Sequence, residues 1–88
     1  MVRNYYAQHR RVREMQEKYP EGTRICVTRF NNHELQPDKA LATISFVDNL
    51  GTLHVTFDNG AKCSVIPGID SFRFLTDAEV RADLIRGA

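Results

Sequence analysis

The first part of the chain has the hydrophobic spacing of an amphipathic helix. Apolar residues recur at separations of seven, three and four, at Tyr5, Val12, Met15 and Tyr19. This spacing places them on one helical face, and basic residues fill the other faces. Pro20 cannot continue the helical hydrogen-bond ladder. The pattern therefore predicts a helix over residues 4–19.

After Pro20 the period changes to the alternation of β-strands. Alternating segments are separated by turns rich in Gly, Pro, Asn and Asp, at 23–30, 42–47, 52–57, 61–66 and 72–74. The residues predicted to point inward are Ile25, Val27, Ile44, Phe46, Leu53, Val55, Phe57, Cys63 and Val65, while Arg24 and Arg29 face solvent. Five short strands with tight connections are too few for a two-sheet sandwich and can curl into a small barrel. The prediction is a five-stranded antiparallel SH3-like barrel over residues 22–75.

Asp58, Asn59 and Gly60 stand between two of these strands. An Asn-Gly pair supplies the positive φ values that a two-residue type I′ hairpin turn needs at both central positions. Asp48, Asp58 and Asp70 each occupy a turn, where a carboxylate can accept hydrogen bonds from backbone N–H groups two residues on. We therefore predict a structural role for Asp58-Asn59-Gly60, which is to fix the strand register.

The last helix has the clearest local signal in the sequence. Thr76-Asp77-Ala78-Glu79 fits the capping box, with Leu75 and Val80 at the positions of a hydrophobic staple. A short helix over residues 77–86 is expected. Its apolar positions, Val80, Leu84 and Ile85, give it one face to lay against the barrel or against another molecule.

Length and composition fit one small domain over residues 1–88. The chain has 88 residues, 42% hydrophobic and 26% charged, typical of a soluble globular protein. The fold class expected is α+β, mainly β. No apolar run can cross a bilayer and no signal-peptide core precedes the helix, so we expect no membrane partner and a cytoplasmic location. Cys26 and Cys63 are expected to be buried or half-buried strand thiols.

Charge gives two interpretations of the first helix. The net charge is +1, but basic residues concentrate near the N-terminus, at Arg3, Arg10, Arg11, Arg13 and Lys18. These arginines can contact phosphates, or they can form an ordinary solvated helix face. The helix could also pair with its own copy through Val12, Met15 and Tyr19, so the sequence leaves monomer and homodimer both open.

The residues of acid–base or metal chemistry do not cluster in the predicted fold. His9, His33 and His54 fall on the helix, in the polar loop and on a strand. A nucleophile or metal supported by a base and an orienting group needs convergence that this distribution does not supply. We therefore expect no enzymatic activity, no metal and no cofactor.

Two stretches, "YPEGTRICV" and "DNLGTLHVTFDNGAKCSVIPGIDSFRFL", resemble the family catalogued as domain of unknown function 4314. The family reads Tyr-Pro-x-Gly-Thr-Arg-Val, a Val-Asp-x-x-Gly turn, Trp-Asp-Asn-Gly, and Ile-Pro-Gly-Val-Asp-x-Phe-Arg. The order and spacing match over about residues 17–75. In this chain Phe57 replaces the tryptophan, residues 38–42 lack the family's glycines, and the loop over 30–37 has a different sequence from that of the family.

The resemblance implies a binding module more than an enzyme. The family has no assigned biochemistry, and its members are passengers of phages, plasmids and conjugative elements. This setting favours a non-catalytic module that binds a protein, for instance to inhibit or modulate a host component. The alternative is a nucleic-acid-binding accessory protein that uses the basic helix. The candidate binding residues are Arg10, Arg11, Arg13, Arg29, Phe30, Asn32 and His33.

Overall fold

The structure, a computed structural model, describes residues 2–31, 36 and 38–87, with side chains over 8–31, 36 and 38–86. The elements in these residues are α1 (Val2–Lys18), β1 (Arg24–Arg29), β2 (Ala40–Val47), β3 (Leu53–Phe57), β4 (Lys62–Val65), β5 (Ser71–Phe74) and α2 (Asp77–Gly87). The predicted succession of a helix, five strands and a helix is confirmed.

The strands form one antiparallel sheet in the order β4-β3-β2-β1-β5. Consecutive strands from β1 to β4 are neighbours, and β5 returns to pair with β1, as in Ile25 opposite Phe74. The α+β, mainly β class is therefore confirmed. The sheet is not closed, because β4 and β5 are not paired with each other in the described part of the chain. The predicted barrel closure is not observed.

One hydrophobic core collects the inward faces of these strands and the end of α1. Its buried members are Tyr19, Ile25, Val27, Phe30, Ala42, Ile44, Val47, Leu53, Val55, Phe57 and Val65. Tyr19 anchors the helix, because its ring lies 5.5 Å from the ring of Phe72 and 5.0 Å from that of Phe74. The C-terminal half of α1 therefore packs on its own chain.

The prediction that Phe46 points into the core is wrong. A β-bulge interrupts the pairing of β2 with β3, because Ile44 lies opposite Val55 whereas Phe46 lies opposite His54. The extra residue shifts the alternation, so that Val47 is buried and the Phe46 side chain is 53% exposed. The Phe46 ring instead stacks on the imidazole of His54, with 4.3 Å between the centroids.

The turn at Asp58-Asn59-Gly60 is also not the predicted type I′ turn. Gly60 has a φ of 93°, but Asn59 does not have a positive φ. The Gly60 N–H donates to the Phe57 carbonyl at 2.8 Å, and the Phe57 N–H donates to the Ala61 carbonyl at 2.8 Å. This is a three-residue loop, a type I turn followed by a left-handed glycine. The Asn59 side chain favours it, since Oδ1 accepts from the Ala61 N–H at 3.0 Å.

The capping box of α2 forms as predicted. The Glu79 N–H donates to Thr76 Oγ1 at 3.2 Å, and the Thr76 N–H donates to Glu79 Oε1 at 2.8 Å. The apolar positions of the helix, however, do not lie against the sheet. Val80 is 42% exposed, Leu84 70% and Ile85 76%. The helix instead faces the sheet with its acidic residues.

Candidate binding surface

A groove with a volume of about 820 Å³ lies between α1 and two neighbouring loops. Its apolar lining includes Val12, Met15, Leu50, Ile66 and Pro67, and its charged rim is formed by Arg11, Glu14 and Lys18. Leu50 is 87% exposed, although leucine is a core-forming residue. An apolar groove with a charged rim can hold a protein segment that has apolar and charged side chains.

Hydrogen bonds from α1 hold the loop that carries Leu50. Gln16 Nε2 donates to the Val47 carbonyl at 3.1 Å and to Asn49 Oδ1 at 3.4 Å. These bonds connect the helix to the end of β2 and to the start of the following turn. The groove walls are therefore joined by polar contacts as well as by the packing of Val12 beside the loop.

Asp48 organises the same loop from inside. Its Oδ1 accepts from the N–H groups of Leu50 and Thr52 at 2.9 and 3.0 Å. The ring Nε2 of His54 lies 2.8 Å from the other carboxylate oxygen. The hydrogen bond with His54 is the main cause that lowers the pKa of the Asp48 carboxyl, and the bond from the Thr52 N–H is the next. The prediction that Asp48 holds a turn by accepting backbone N–H groups is confirmed.

Asp70 holds a second turn, next to the groove. Its Oδ1 accepts from the Asn31 N–H at 2.7 Å and its Oδ2 from the Ile66 N–H at 2.8 Å. The carboxylate is buried and connects the loop after β1 with the end of β4. Asp70 therefore positions Ile66 at the edge of the groove.

The three candidate arginines of α1 are exposed but do not form one patch. Successive helical residues are about 100° apart, so Arg11 and Arg13 project to nearly opposite sides of the helix. Arg11 lines the groove, whereas Arg10 and Arg13 lie together with Glu14 and Glu17 on another part of the helix surface. The structure thus brings one of the three to the groove.

The candidates in and after β1 lie elsewhere. Arg29 is exposed at the end of the strand, and Phe30 is buried, with its ring 5.6 Å from that of Phe57. Phe30 is therefore part of the core and is not an exposed binding residue. Asn32 and His33 lie outside the described residues. Gln36, in the loop after β1, is buried and donates to Asn59 Oδ1 at 3.2 Å.

Asp58 does not act as a turn carboxylate, because it forms an ion pair with Arg24. Arg24 Nη1 and Nη2 donate to the two oxygens of Asp58 at 2.6 and 2.9 Å. Nε and Nη2 donate to the two oxygens of Asp83 in α2 at 2.9 and 2.7 Å, and Nη1 also donates to Thr43 Oγ1 at 3.0 Å. A guanidinium has five N–H donors, and here every one is used. Arg24 was expected to face solvent, but it is half-buried between the two carboxylates.

A second ion pair attaches the start of α2. Arg73 Nη1 and Nη2 donate to Glu79 at 2.6 and 3.2 Å. Two hydrogen-bond donors, chiefly the Arg73 guanidinium and next the Thr76 N–H, lower the pKa of the Glu79 carboxyl to about 2. The hydrogen bonds from Arg24 likewise lower the pKa of the carboxyls of Asp58 and Asp83.

These ion pairs explain the orientation of α2. Glu79 and Asp83 are four residues apart and therefore share one helical face, which lies toward Arg73 and Arg24. Leu84 and Ile85 lie away from this face and Val80 lies on its flank, so all three stay exposed. This arrangement was not predicted from the sequence. The signal for it was the pair of acidic residues at helical spacing, which could have been matched with arginines on neighbouring strands.

The remaining reactive groups show no further cluster in the described residues. Cys26 is a buried free thiol and Cys63 is half-buried, as predicted. Burial raises the pKa of the Cys26 thiol. Within these residues, no group of three or more His, Cys, Asp and Glu side chains could hold a metal ion. None of the described helices is both long enough and apolar enough to span a membrane.

Comparison with known proteins supports the family resemblance. Comparisons with curated proteins and with solved structures give no match. The family described as "Domain of unknown function (DUF4314)" matches residues 8–75, a range that includes most of α1 and all five strands but not α2. The chain therefore belongs to the DUF4314 family.

Proposed function

We propose that this protein is a non-enzymatic binding module that acts by holding a segment of another protein in the groove between α1 and the loop over residues 48–52. The observation that carries the proposal is the exposure of Leu50 opposite the apolar side of α1. An exposed apolar patch with a polar rim is characteristic of protein interaction sites. The hydrogen bonds of Gln16 and Asp48 support the proposal, because a preorganised groove loses less entropy on binding.

The biological setting is part of the same proposal. We propose a protein of a phage or other mobile element that inhibits or modulates a host component in the cytoplasm. The support for this setting is the resemblance to a family whose members are passengers of phages, plasmids and conjugative elements. The two free thiols fit a reducing compartment.

We propose that the sheet is a partly open SH3-like barrel. Ile25 of β1 and Val65 of β4 are both fully buried in one core although two strands separate them in the sheet. A sheet must curl to bring such residues together, and the return of β5 to the side of β1 supports the same curvature. A solved structure with a flat sheet would contradict this assignment.

The groove can be tested by selection from a displayed library of random peptides against the immobilised protein. Leu50→Asp is the matched variant, since Leu50 is exposed and its replacement leaves the core intact. Selected peptides are expected to bind the wild type and to lose most of their affinity for the variant. Peptides that bind both proteins equally, or a selection that enriches none, would contradict the groove as the binding surface.

The second candidate function is nucleic-acid binding by α1, and the exposure of Arg10, Arg11 and Arg13 favours it. Binding of a labelled duplex and a labelled single strand should be titrated against salt. If α1 binds phosphates, affinity should fall steeply with salt, and each Arg→Ala replacement should reduce the salt slope by about one. Absence of binding at low salt would exclude this function.

A further inference from the structure

The helix α2 turns acidic residues toward the sheet and leaves its apolar residues exposed. Glu79 and Asp83 face the sheet and form ion pairs with Arg73 and Arg24. Val80 and Leu84, at a spacing of four, and Ile85 project away from it and are exposed. This stripe is an apolar helix face that its own chain does not cover. Such a face is the typical ligand of a hydrophobic groove in a helix-in-groove complex.

The groove beside α1 has the complementary character. Its lining includes Val12, Met15 and Leu50. Apolar side chains of a docked helix would be buried against these residues and removed from water, which is the main source of favourable free energy in such contacts. The α1 residues that line the groove extend from Gln8 to Lys18, so the groove follows the helix over a length that suits a short helical segment.

The charges on the two elements also match. On the exposed side of α2, Asp77 and Arg81 are four residues apart, and on α1 Glu14 and Lys18 are four residues apart along the rim of the groove. When the two helices pack antiparallel, Asp77 lies opposite Lys18 and Arg81 lies opposite Glu14. Opposite charges are thus paired at both positions, and such complementarity favours a single orientation.

A single chain cannot bring these two surfaces together while α2 is attached to the sheet. The helix is held by Arg24 of β1 and Arg73 of β5, whereas the groove is built from α1 and from loops after β2 and β4. Leu84 and Ile85 stay exposed in this arrangement, so the α2 of the same chain does not occupy the groove. The contact is therefore one that a second copy would make.

We propose that the apolar face of α2 in one copy docks into the α1 groove of a second copy, antiparallel to α1. The proposal rests on the proposed function of the groove, because it names a second copy of this chain as an occupant. The contact is heterologous, since two different surfaces meet. Two copies can exchange it reciprocally and form a closed dimer, or each copy can bind the next and form longer assemblies.

The test measures the association of the purified full chain and of two single variants. Sedimentation velocity should be recorded at chain concentrations up to about 1 mM, where even a millimolar dissociation constant gives substantial association. The wild type is expected to sediment faster as concentration rises. Leu84→Asp disables the α2 face and Leu50→Asp disables the groove, and each variant alone is expected to remain monomeric. Both residues are exposed, so thermal melting should show that both variants fold.

A mixture of the two variants makes the test specific for a heterologous contact. The Leu50→Asp chain keeps an intact α2 and the Leu84→Asp chain keeps an intact groove, so the mixture should form a one-to-one complex. If α2 paired with α2, or groove with groove, the mixture would contain no such complex. A mixture that stays monomeric, or a wild type that stays monomeric at every concentration, overturns the proposal.

The charge pairing gives an independent readout. Glu14→Arg and Arg81→Glu should each weaken association, and the double variant that carries both substitutions in one chain should restore it, because every contact then joins the exchanged charges, which again attract. No recovery in this double variant would contradict the antiparallel orientation. Failure of self-association is distinguishable from failure of the groove itself. A monomeric protein that still selects Leu50-dependent peptides would retain the proposed function and lose only the second copy as occupant.

Discussion

Arg24 and Asp58 form a two-bond ion pair that connects the first strand to the hairpin between β3 and β4. The distances are 2.6 Å from Nη1 to Oδ1 and 2.9 Å from Nη2 to Oδ2. A second edge of the guanidinium, formed by Nε and Nη2, donates two hydrogen bonds to Asp83 of α2 in the same way. A planar guanidinium can bind two carboxylates in this way, whereas a lysine ammonium cannot. One side chain thus joins three parts of the chain.

Arg24→Gln should lower the free energy of unfolding by about 1–2 kcal/mol, since it removes charge-assisted hydrogen bonds from partly exposed carboxylates. It should also increase hydrogen exchange at the amides of α2, because Asp83 loses its partner on the sheet. Urea unfolding and amide exchange measure the two effects.

The matched control is Arg29→Gln on the same strand, where the arginine is exposed. It should change the free energy of unfolding by no more than about 0.5 kcal/mol. Equal losses in the two variants would show that the bonds of Arg24 to Asp58 and Asp83 do not contribute specifically.

The stability of the protein should decrease in acid, partly through Glu79. Arg73 lowers the pKa of this carboxyl from 4.5 to about 2 in the folded chain. The contribution of the ionised Glu79 to the free energy of unfolding is therefore complete above about pH 4.5 and is lost as the pH falls toward about 2. The melting temperature of the wild type should exceed that of Glu79→Gln at neutral pH, and the difference should shrink across this range. A difference that is independent of pH would contradict the contribution of the ion pair.

Two phenylalanines should respond very differently to truncation. Phe57 is buried in the core, so Phe57→Ala should destabilise the fold by about 3–5 kcal/mol. Phe46 is displaced to the surface by the β-bulge, so its truncation removes only the stacking on His54. Phe46→Ala should therefore lower the free energy of unfolding by only about 0.5–1 kcal/mol. Urea unfolding compares the two variants. Phe57→Leu serves the same comparison if the alanine variant does not fold. Similar losses at both positions would mean that Phe46 is buried.

Lys39 offers a stabilising replacement. Its φ is 62°, in the left-handed region, where a side chain destabilises the backbone by roughly 1–2 kcal/mol. It lies in the segment where the family has glycine. Lys39→Gly should raise the free energy of unfolding by about 0.5–1 kcal/mol, after allowance for the greater freedom of glycine in the unfolded chain. Lys39→Ala is the control, since it keeps the β-carbon and should change little. Equal stability of the two variants would contradict the strain at this position.

The local features of the fold followed from the sequence because each depends on neighbouring residues. The capping box of α2 needs only Thr76 and Glu79, and the stop of α1 needs only Pro20. The errors arose where pairing between strands overrode the local pattern. Phe46 occupies an inward position in the alternation, but a bulge opposite β3 reverses it.

The candidate binding surface was harder to predict for the same reason. Arg11 was identified as a basic residue of α1, but the groove that it lines also needs Leu50 and Ile66, which are distant in sequence. Leu50 is in a turn and gave no signal of its own. Its exposure became meaningful only when the loop was placed beside the helix.

The amino-acid sequence correctly predicted the succession of elements, the antiparallel meander, most of the core and the family. These properties are encoded by periodicity, by turn residues and by short motifs, which act over a few positions. The side of α2 that meets the sheet could not be predicted in this way, because the ion pairs of Arg24 with Asp83 and of Arg73 with Glu79 join residues on different elements. Hydrophobic patterning alone predicts burial of Leu84. The long-range charge pairs turn that face outward.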